Sequence, residues 1–175
     1  PAAATQAPAQ PGTQPAKQEW VDRAEYDLFD SIQREQDPSA RLAKLDEWKQ
    51  KYPNTQFLPQ RRQLYLATYQ GLRKPAEVFG IAGEILANDP NNLQALSALS
   101  IYVYQLNPPQ PAQLDLAQKG STHLAGNIES IFSADKKPEQ VSTSDWDKSK
   151  KEVHALAQQT VGWVAMVRKE NDKAE

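Results

Sequence analysis

Apolar residues recur at spacings of three and four along most of the chain, and short stretches rich in proline and asparagine interrupt them. A period near 3.6 residues predicts amphipathic α-helices. No segment alternates apolar and polar residues with β-branched enrichment, so no sheet is expected. The pattern predicts seven helices, which cover about residues 20–35, 38–52, 58–72, 75–87, 93–106, 111–132 and 144–169.

The interruptions contain residues that end one helix and begin the next. Asp37 is a good N-cap for the second helix, and Pro38 fits its first helical position. The turn at residues 89–92, Asp-Pro-Asn-Asn, stops the fourth helix and offers asparagine caps to the fifth. Ser144 and Asp147 are expected to cap the last helix as a capping-box-like pair. Since the connections are short, consecutive helices should pair as antiparallel hairpins.

The fifth predicted helix has small residues where a surface helix usually carries Lys or Glu. Ala95, Ala98 and Ser100 lie between its larger apolar residues. Small side chains let another helix approach closely, so we expect this helix to have neighbours on more than one side.

The turns between these helices recur along the chain, which indicates an internal repeat. The turn at residues 52–54 and the turn at residues 89–91 are offset by 37 residues, from 52 to 89. Tetratricopeptide repeats have a period of about 34 residues. Residues 75–92, PAEVFGIAGEILANDPNN, resemble the second helix and closing turn of that repeat, and residues 93–104 resemble the next first helix. The chain is therefore similar to the tetratricopeptide repeat family over roughly residues 20–132, and residues 48–72 resemble the variant found in bacterial envelope proteins.

This resemblance implies a fold and a function. The fold would be an all-α, right-handed superhelical stack of about three helical hairpins over residues 19–135, followed by a linker and a long capping helix over residues 136–175. The stack would bind a protein or peptide client in a groove lined by the first helix of each hairpin. The groove positions that the resemblance implies are Arg23, Tyr26, Asp30, Gln33, Gln63, Ala67, Gln70, Gln94, Ser97, Ile101 and Tyr104. Large exposed side chains often mark interfaces, so Tyr26, Ile101 and Tyr104 are the expected anchors.

The last predicted helix suggests an alternative. Its apolar residues point in more than one direction, and packing against the stack accounts for only some of them. The remaining edge would form the seam of a homodimer in a structural or assembly module. The residues of this predicted self-association surface are Trp163, Val164, Met166 and Val167.

Composition and motifs argue against several other classes. The chain has 20 basic and 22 acidic residues, a net charge of −2 and no dense basic block, so no nucleic-acid partner is expected. It has no cysteine, which excludes thiol chemistry. No apolar run approaches the roughly 20 residues that span a bilayer.

No catalytic constellation is recognisable. His123 and His154 each stand alone, without the carboxylate spacing of a metal site. No serine lies in a GxSxG motif, and Gly80 and Gly83 lie within a helix rather than in a phosphate-binding loop. We therefore expect a protein that is not an enzyme and that holds neither a metal nor a cofactor.

Residues 1–18 differ from the rest of the chain. They consist of Pro, Ala, Gln, Thr and Gly with the single charge of Lys17, and they contain no large apolar side chain. Such a segment cannot bury enough surface to offset its ordering entropy, so it is predicted to be a disordered tether. Tethers of this kind often follow a cleaved signal peptide, so we expect export, for example to the periplasm. A cytoplasmic interdomain linker is the alternative.

Overall fold

The computed structural model describes residues 22–174, with side chains up to residue 169. This range is all-α, as the periodicity predicts: it contains eight α-helices and no strand. The predicted tether over residues 1–18 lies outside the described residues. The helices are α1 (Arg23–Arg34), α2 (Pro38–Lys51), α3 (Leu58–Gly71), α4 (Pro75–Leu86), α5 (Leu93–Tyr102), α6 (Pro111–Gly126), α7 (Ile128–Ile131) and α8 (Thr143–Ala174).

Polar side chains cap several helices at the predicted places. Asp37 accepts hydrogen bonds from two backbone N–H groups of α2 at 3.3 and 3.2 Å, and Pro38 is the first residue of that helix. Asn92 accepts a bond from the Ala95 N–H of α5 at 3.1 Å. Each cap satisfies N–H groups that have no partner within the helix. These two predicted helix starts are confirmed.

The predicted helix over residues 111–132 is wrong in one respect, because it is broken at Asn127. This residue leaves the helical region with φ −116° and ψ 18°, and its side-chain amide donates to the His123 carbonyl at 2.9 Å. The His123 carbonyl also accepts the Asn127 backbone N–H at 3.0 Å, so it binds this residue twice, and asparagine side chains that bond nearby backbone groups favour helix ends. The apolar spacing nevertheless continues through Ile128 and Ile131, which are buried in the short helix α7.

The predicted start of the last helix is also corrected, since the cap is Ser142 with Asp145 rather than Ser144 with Asp147. The Ser142 hydroxyl donates to the Asp145 carboxylate at 2.6 Å and accepts from the Asp145 N–H at 3.0 Å. The earlier start lets Trp146 reach back to Phe132, where its indole donates to the backbone carbonyl at 3.0 Å and the ring centroids lie 4.6 Å apart. Although α8 has 32 residues, no helix within residues 22–174 is apolar enough over a sufficient length to cross a membrane.

The helices pack largely in chain order. Each of α1 to α5 packs against the next helix, α6 packs against α8, and α8 also reaches α5. The fifth helix therefore lies between α4, α6 and α8, with Ala95, Ala98 and Ser100 buried, as its small residues predicted. One large core runs through α1 to α6 and α8, and a smaller core joins α5 and α6 to α7 and the first half of α8.

A buried polar network joins the first three helices. The Trp48 indole of α2 donates to the Glu25 carboxylate of α1 at 2.7 Å, and the Thr55 hydroxyl donates to the same oxygen. Arg61 of α3 donates to the Tyr52 carbonyl at 2.8 Å and to the Trp48 carbonyl at 3.4 Å. Its guanidinium thus binds carbonyls at the end of α2, where the helix dipole favours a cation.

Candidate functional site

Polar contacts hold Tyr104 in place against α8. Tyr104 lies in a 3₁₀ turn (Val103–Gln105) that directly follows α5. The Thr160 hydroxyl of α8 has two carbonyl acceptors within reach, Leu156 one turn earlier on α8 at 2.9 Å and Ser100 of α5 at 3.2 Å. The same hydroxyl lies 3.2 Å from the Tyr104 hydroxyl. Because Thr160 gives its one proton to a carbonyl, Tyr104 is the donor to Thr160. Ser100 is further linked to Ser121 of α6, with 2.9 Å between the two hydroxyl oxygens.

An aromatic pair lies beside these contacts, and exposed apolar side chains lie close to it in the sequence. The rings of Tyr104 and Trp163 have centroids 4.8 Å apart and planes at 56°. Ile101 lies three residues before Tyr104 and is 45% exposed, and Met166 lies three residues after Trp163 and is 50% exposed. Tyr104 itself is 37% exposed. We call Ile101, Tyr104, Trp163 and Met166 the α5/α8 patch.

Tyr26, the third expected anchor, lies on α1, away from α5 and α8 in the order of helix packing. It is exposed on α1, which packs mainly against α2. The Arg23 guanidinium lies 5.6 Å from its ring centroid, and Arg23 also pairs with Asp27 at 2.8 Å. All three expected anchors are therefore exposed, but Tyr26 is a separate point and does not belong to the α5/α8 patch.

The polar residues of the predicted groove have mixed surroundings. Asp30 pairs with Arg34 at 2.9 Å. Gln70 is half-buried, and its backbone carbonyl accepts a bond from the Tyr102 hydroxyl at 3.4 Å, which joins α3 to α5. Gln33 and Gln94 are exposed, whereas Ala67 and Ser97 are half-buried.

Gln63 differs from the other predicted groove residues. Its side-chain oxygen is buried and has no hydrogen-bond partner, and it is the only such side-chain atom within the described part of the chain. Burying a polar atom without a partner lowers stability. Gln63 therefore weakens the fold in this conformation.

We expect Gln63→Met to raise the free energy of unfolding by about 1 kcal/mol, because methionine has a similar shape and removes the unpaired oxygen. Urea denaturation followed by circular dichroism measures the change. Gln70→Met is the matched control on the same helix and should be nearly neutral. Equal effects of the two substitutions would show that helix propensity or added apolar surface, and not the unpaired oxygen, is responsible.

The predicted self-association surface requires a correction. Val164 is completely buried, and Trp163 and Val167 pack against the main core. Trp163 and Val167 are half-buried, because α8 lies against both α5 and α6. Of this predicted surface only Met166 remains exposed, so Val164 is not available to a partner.

Two clefts flank α4, and the sequence pattern did not predict either of them. A cleft of about 240 Å³ lies between α2, α3 and α4, and a cleft of about 340 Å³ lies between α4 and α6. Gly80 lines the first cleft and Gly83 the second. Glycine within a helix was the available signal, since it often marks a close approach or missing side-chain volume.

The smaller cleft has tyrosines and charged groups on its walls. Tyr65 and Tyr69 stack with centroids 5.6 Å apart, and the Tyr65 hydroxyl donates to Asp46 at 2.8 Å. Burial is the main cause that raises the pKa of Tyr65, and the hydrogen bond to Asp46 is the second. Burial is also the main cause that raises the pKa of Tyr69, and the negative charges of nearby carboxylates raise it further. Both phenols therefore stay protonated at neutral pH, and in this cleft Arg62 pairs with Glu84 at 3.0 Å.

The two histidines stand apart from any cluster of ligands. His123 Nε2 lies 2.7 Å from the side-chain oxygen of Asn91, and His154 is half-buried on α8. Within residues 22–169, no group of three or more His, Asp or Glu side chains is arranged to hold a metal ion.

Comparison with known proteins provides no relative. No protein family, curated protein or solved structure matches the chain. The function is therefore inferred from the chemistry of the described residues.

Proposed function

We propose that this chain is a non-catalytic interaction module with a tetratricopeptide-like architecture, which binds a protein or peptide segment. The α5/α8 patch is the main contact, and Tyr26 is a second one. The observation that carries the proposal is the distribution of exposed apolar side chains. Within residues 22–169 the large exposed ones are Tyr26, Ile101, Tyr104 and Met166, and three of these four are members of the Tyr104–Trp163 ring pair or lie three residues from a member of it. Clustered exposed apolar groups mark interaction sites.

The patch is preorganised. Tyr104 is held by the Thr160 hydroxyl and by the ring of Trp163, and Thr160 is buried within hydrogen-bonding distance of the Leu156 and Ser100 carbonyls. A partner would therefore not have to order this aromatic side chain on binding, which lowers the entropic cost of association. Aromatic side chains held in this way are typical of interface hot spots.

Uncharged polar groups accompany the patch on α5. Ser97 lies one turn before Ile101, and Gln94 one turn before Ser97. A polar rim around an apolar centre is the usual anatomy of an interface. These residues would form hydrogen bonds that select the partner, while Ile101 and Tyr104 supply the buried area.

The test is a crosslinking pull-down with the full chain as bait, from a lysate of the organism that encodes it. Ile101→Asp adds a charge to the patch at a side chain without a structural hydrogen bond. We expect it to reduce partner capture by about 10-fold or more, the loss expected for a central hot spot. Ala76→Asp adds the same charge at an exposed position on α4 and is the matched control. Circular dichroism should show the same helicity for all three proteins.

Undiminished capture by Ile101→Asp would refute the role of the patch. Recovery of only the bait chain would favour the alternative, a self-assembling module, for which the exposed Met166 is the supporting observation. Sedimentation of the native chain and of Met166→Asp distinguishes the two functions. A dimer that Met166→Asp dissociates would establish self-association through α8.

A further inference from the structure

The larger cleft, between α4 and α6, has the form of a small-molecule site. We call it the α4/α6 cleft. Its volume is about 340 Å³. Ligand pockets range from about 300 to 1,000 Å³ and are mostly apolar with a few polar groups. Leu86 of α4 and Leu116 of α6 lie on its walls, and the buried Leu96 of α5 lies beneath them.

Two glycines keep this cleft open. A Cβ atom at Gly83 would lie 3.4 Å from Leu116 Cδ2, so a longer side chain there would project toward the opposite wall. A Cβ atom at Gly120 would lie 2.8 Å from Leu99 Cδ1, which is too close. Gly120 therefore lets α6 lie close to α5. Gly83 has no side chain, so the space between α4 and α6 stays unfilled.

The polar groups of the cleft are on α6. Lys119 and His123 lie one turn apart in its lining, and the His123 ring is held by Asn91 at 2.7 Å. Lys119 is exposed and forms no ion pair within the described part of the chain. Asp115, one turn earlier on the same helix, is paired with Arg168. A cation with no ion-pair partner among residues 22–169 thus lies beside an apolar cleft.

We propose that the α4/α6 cleft binds a free medium-chain fatty acid, with its alkyl chain against Leu86, Leu96 and Leu116 and its carboxylate beside the Lys119 ammonium. The apolar lining selects the chain, and the charge of Lys119 selects an anionic headgroup. The volume suits one chain, which favours a free fatty acid over a two-chain membrane lipid. This site is separate from the α5/α8 patch and does not depend on the proposed client.

The test is a titration of the full chain with sodium decanoate below its micelle concentration, followed by methyl NMR. We expect saturable shifts of the leucine methyl signals of the cleft, and tighter binding of decanoate than of decylammonium. Lys119→Gln should weaken decanoate binding by about 2- to 5-fold, as expected for a partly exposed ion pair, and leave decanol binding unchanged.

Two glycine substitutions locate the site. Gly83→Leu fills the cleft and should abolish binding. Gly80→Leu is the matched control one turn away on the same helix, where a Cβ atom meets nothing within 4 Å, and it should bind decanoate normally. Thermal melting verifies that both variants fold. If Gly83→Leu does not fold, the Lys119→Gln variant still tests the proposal, because Lys119 is exposed and its replacement leaves the core intact. Absent shifts, equal affinity for decanoate and decylammonium, or normal binding by folded Gly83→Leu would each overturn the proposal.

Discussion

Replacement of Trp48 by alanine is expected to lower the free energy of unfolding by about 3–5 kcal/mol, the usual cost of removing a large buried aromatic side chain. Trp48 is 0% exposed. Its ring meets Phe29 of α1 edge-on at 5.7 Å, and the Arg61 guanidinium of α3 lies 5.6 Å from its centroid. The substitution therefore leaves a cavity where three helices meet, and it removes the indole donor to Glu25.

Trp48→Phe separates packing from hydrogen bonding. Phenylalanine retains most of the buried ring but leaves the Glu25 carboxylate with one donor fewer, which should cost about 1–3 kcal/mol. Urea denaturation measures both losses. Hydrogen exchange should show that the amides of α1 to α3 lose more protection than those of α6 and α8, since Trp48 contacts the first three helices and α6 and α8 pack elsewhere. Equal losses for the two variants would mean that the hydrogen bond, not the packing, dominates.

Replacement of Arg61 by methionine should have the second largest effect, a loss of about 2–3 kcal/mol, because hydrogen bonds from a charged group contribute about 1.5–3 kcal/mol. Methionine can fill the space of the side-chain stem, but it removes the charged donor to the carbonyls of Tyr52 and Trp48, which then keep only their backbone N–H partners. Burial lowers the pKa of Arg61, which means that the surroundings of this guanidinium disfavour its charge relative to water. Thermal and urea denaturation provide the measurement.

Arg61→Lys is the control that preserves the charge. Lysine presents a single ammonium and cannot reproduce the planar fork of guanidinium donors, so an intermediate loss of about 1–2 kcal/mol is expected. A neutral effect of Arg61→Met would show that the end of α2 needs no side-chain donor. The proposed role of Arg61 in joining α2 to α3 would then be wrong.

The positions of most helices could be predicted from local sequence. Asp37, Pro38 and Asn92 act through bonds to residues two or three positions away, so their effect is visible in a short window. The break at Asn127 was missed because apolar spacing continues past it, while its side chain bonds the His123 carbonyl. A periodic pattern does not show such a competing bond.

The candidate site was only partly predictable. Ile101 and Tyr104 are exposed as expected, since helical spacing places them away from the buried residues of α5. The role of Val164 was predicted wrongly because the last helix is apolar in several directions, and only the contact with α5 and α6 decides which side is covered. The role of Tyr104 in holding α8 through Thr160 was also hidden, because the two residues are 56 positions apart.

The sequence by itself determined the all-α class, most of the helix ends and the small side chains that place α5 between neighbours, because each depends on spacing or on bonds within a few residues. Only the tertiary structure decided which apolar side of α8 is buried, how Glu25, Trp48 and Arg61 meet, and that two clefts flank α4. These features depend on the distances and angles between whole helices. Such distances arise from the packing of many side chains together, and no local window of sequence contains them.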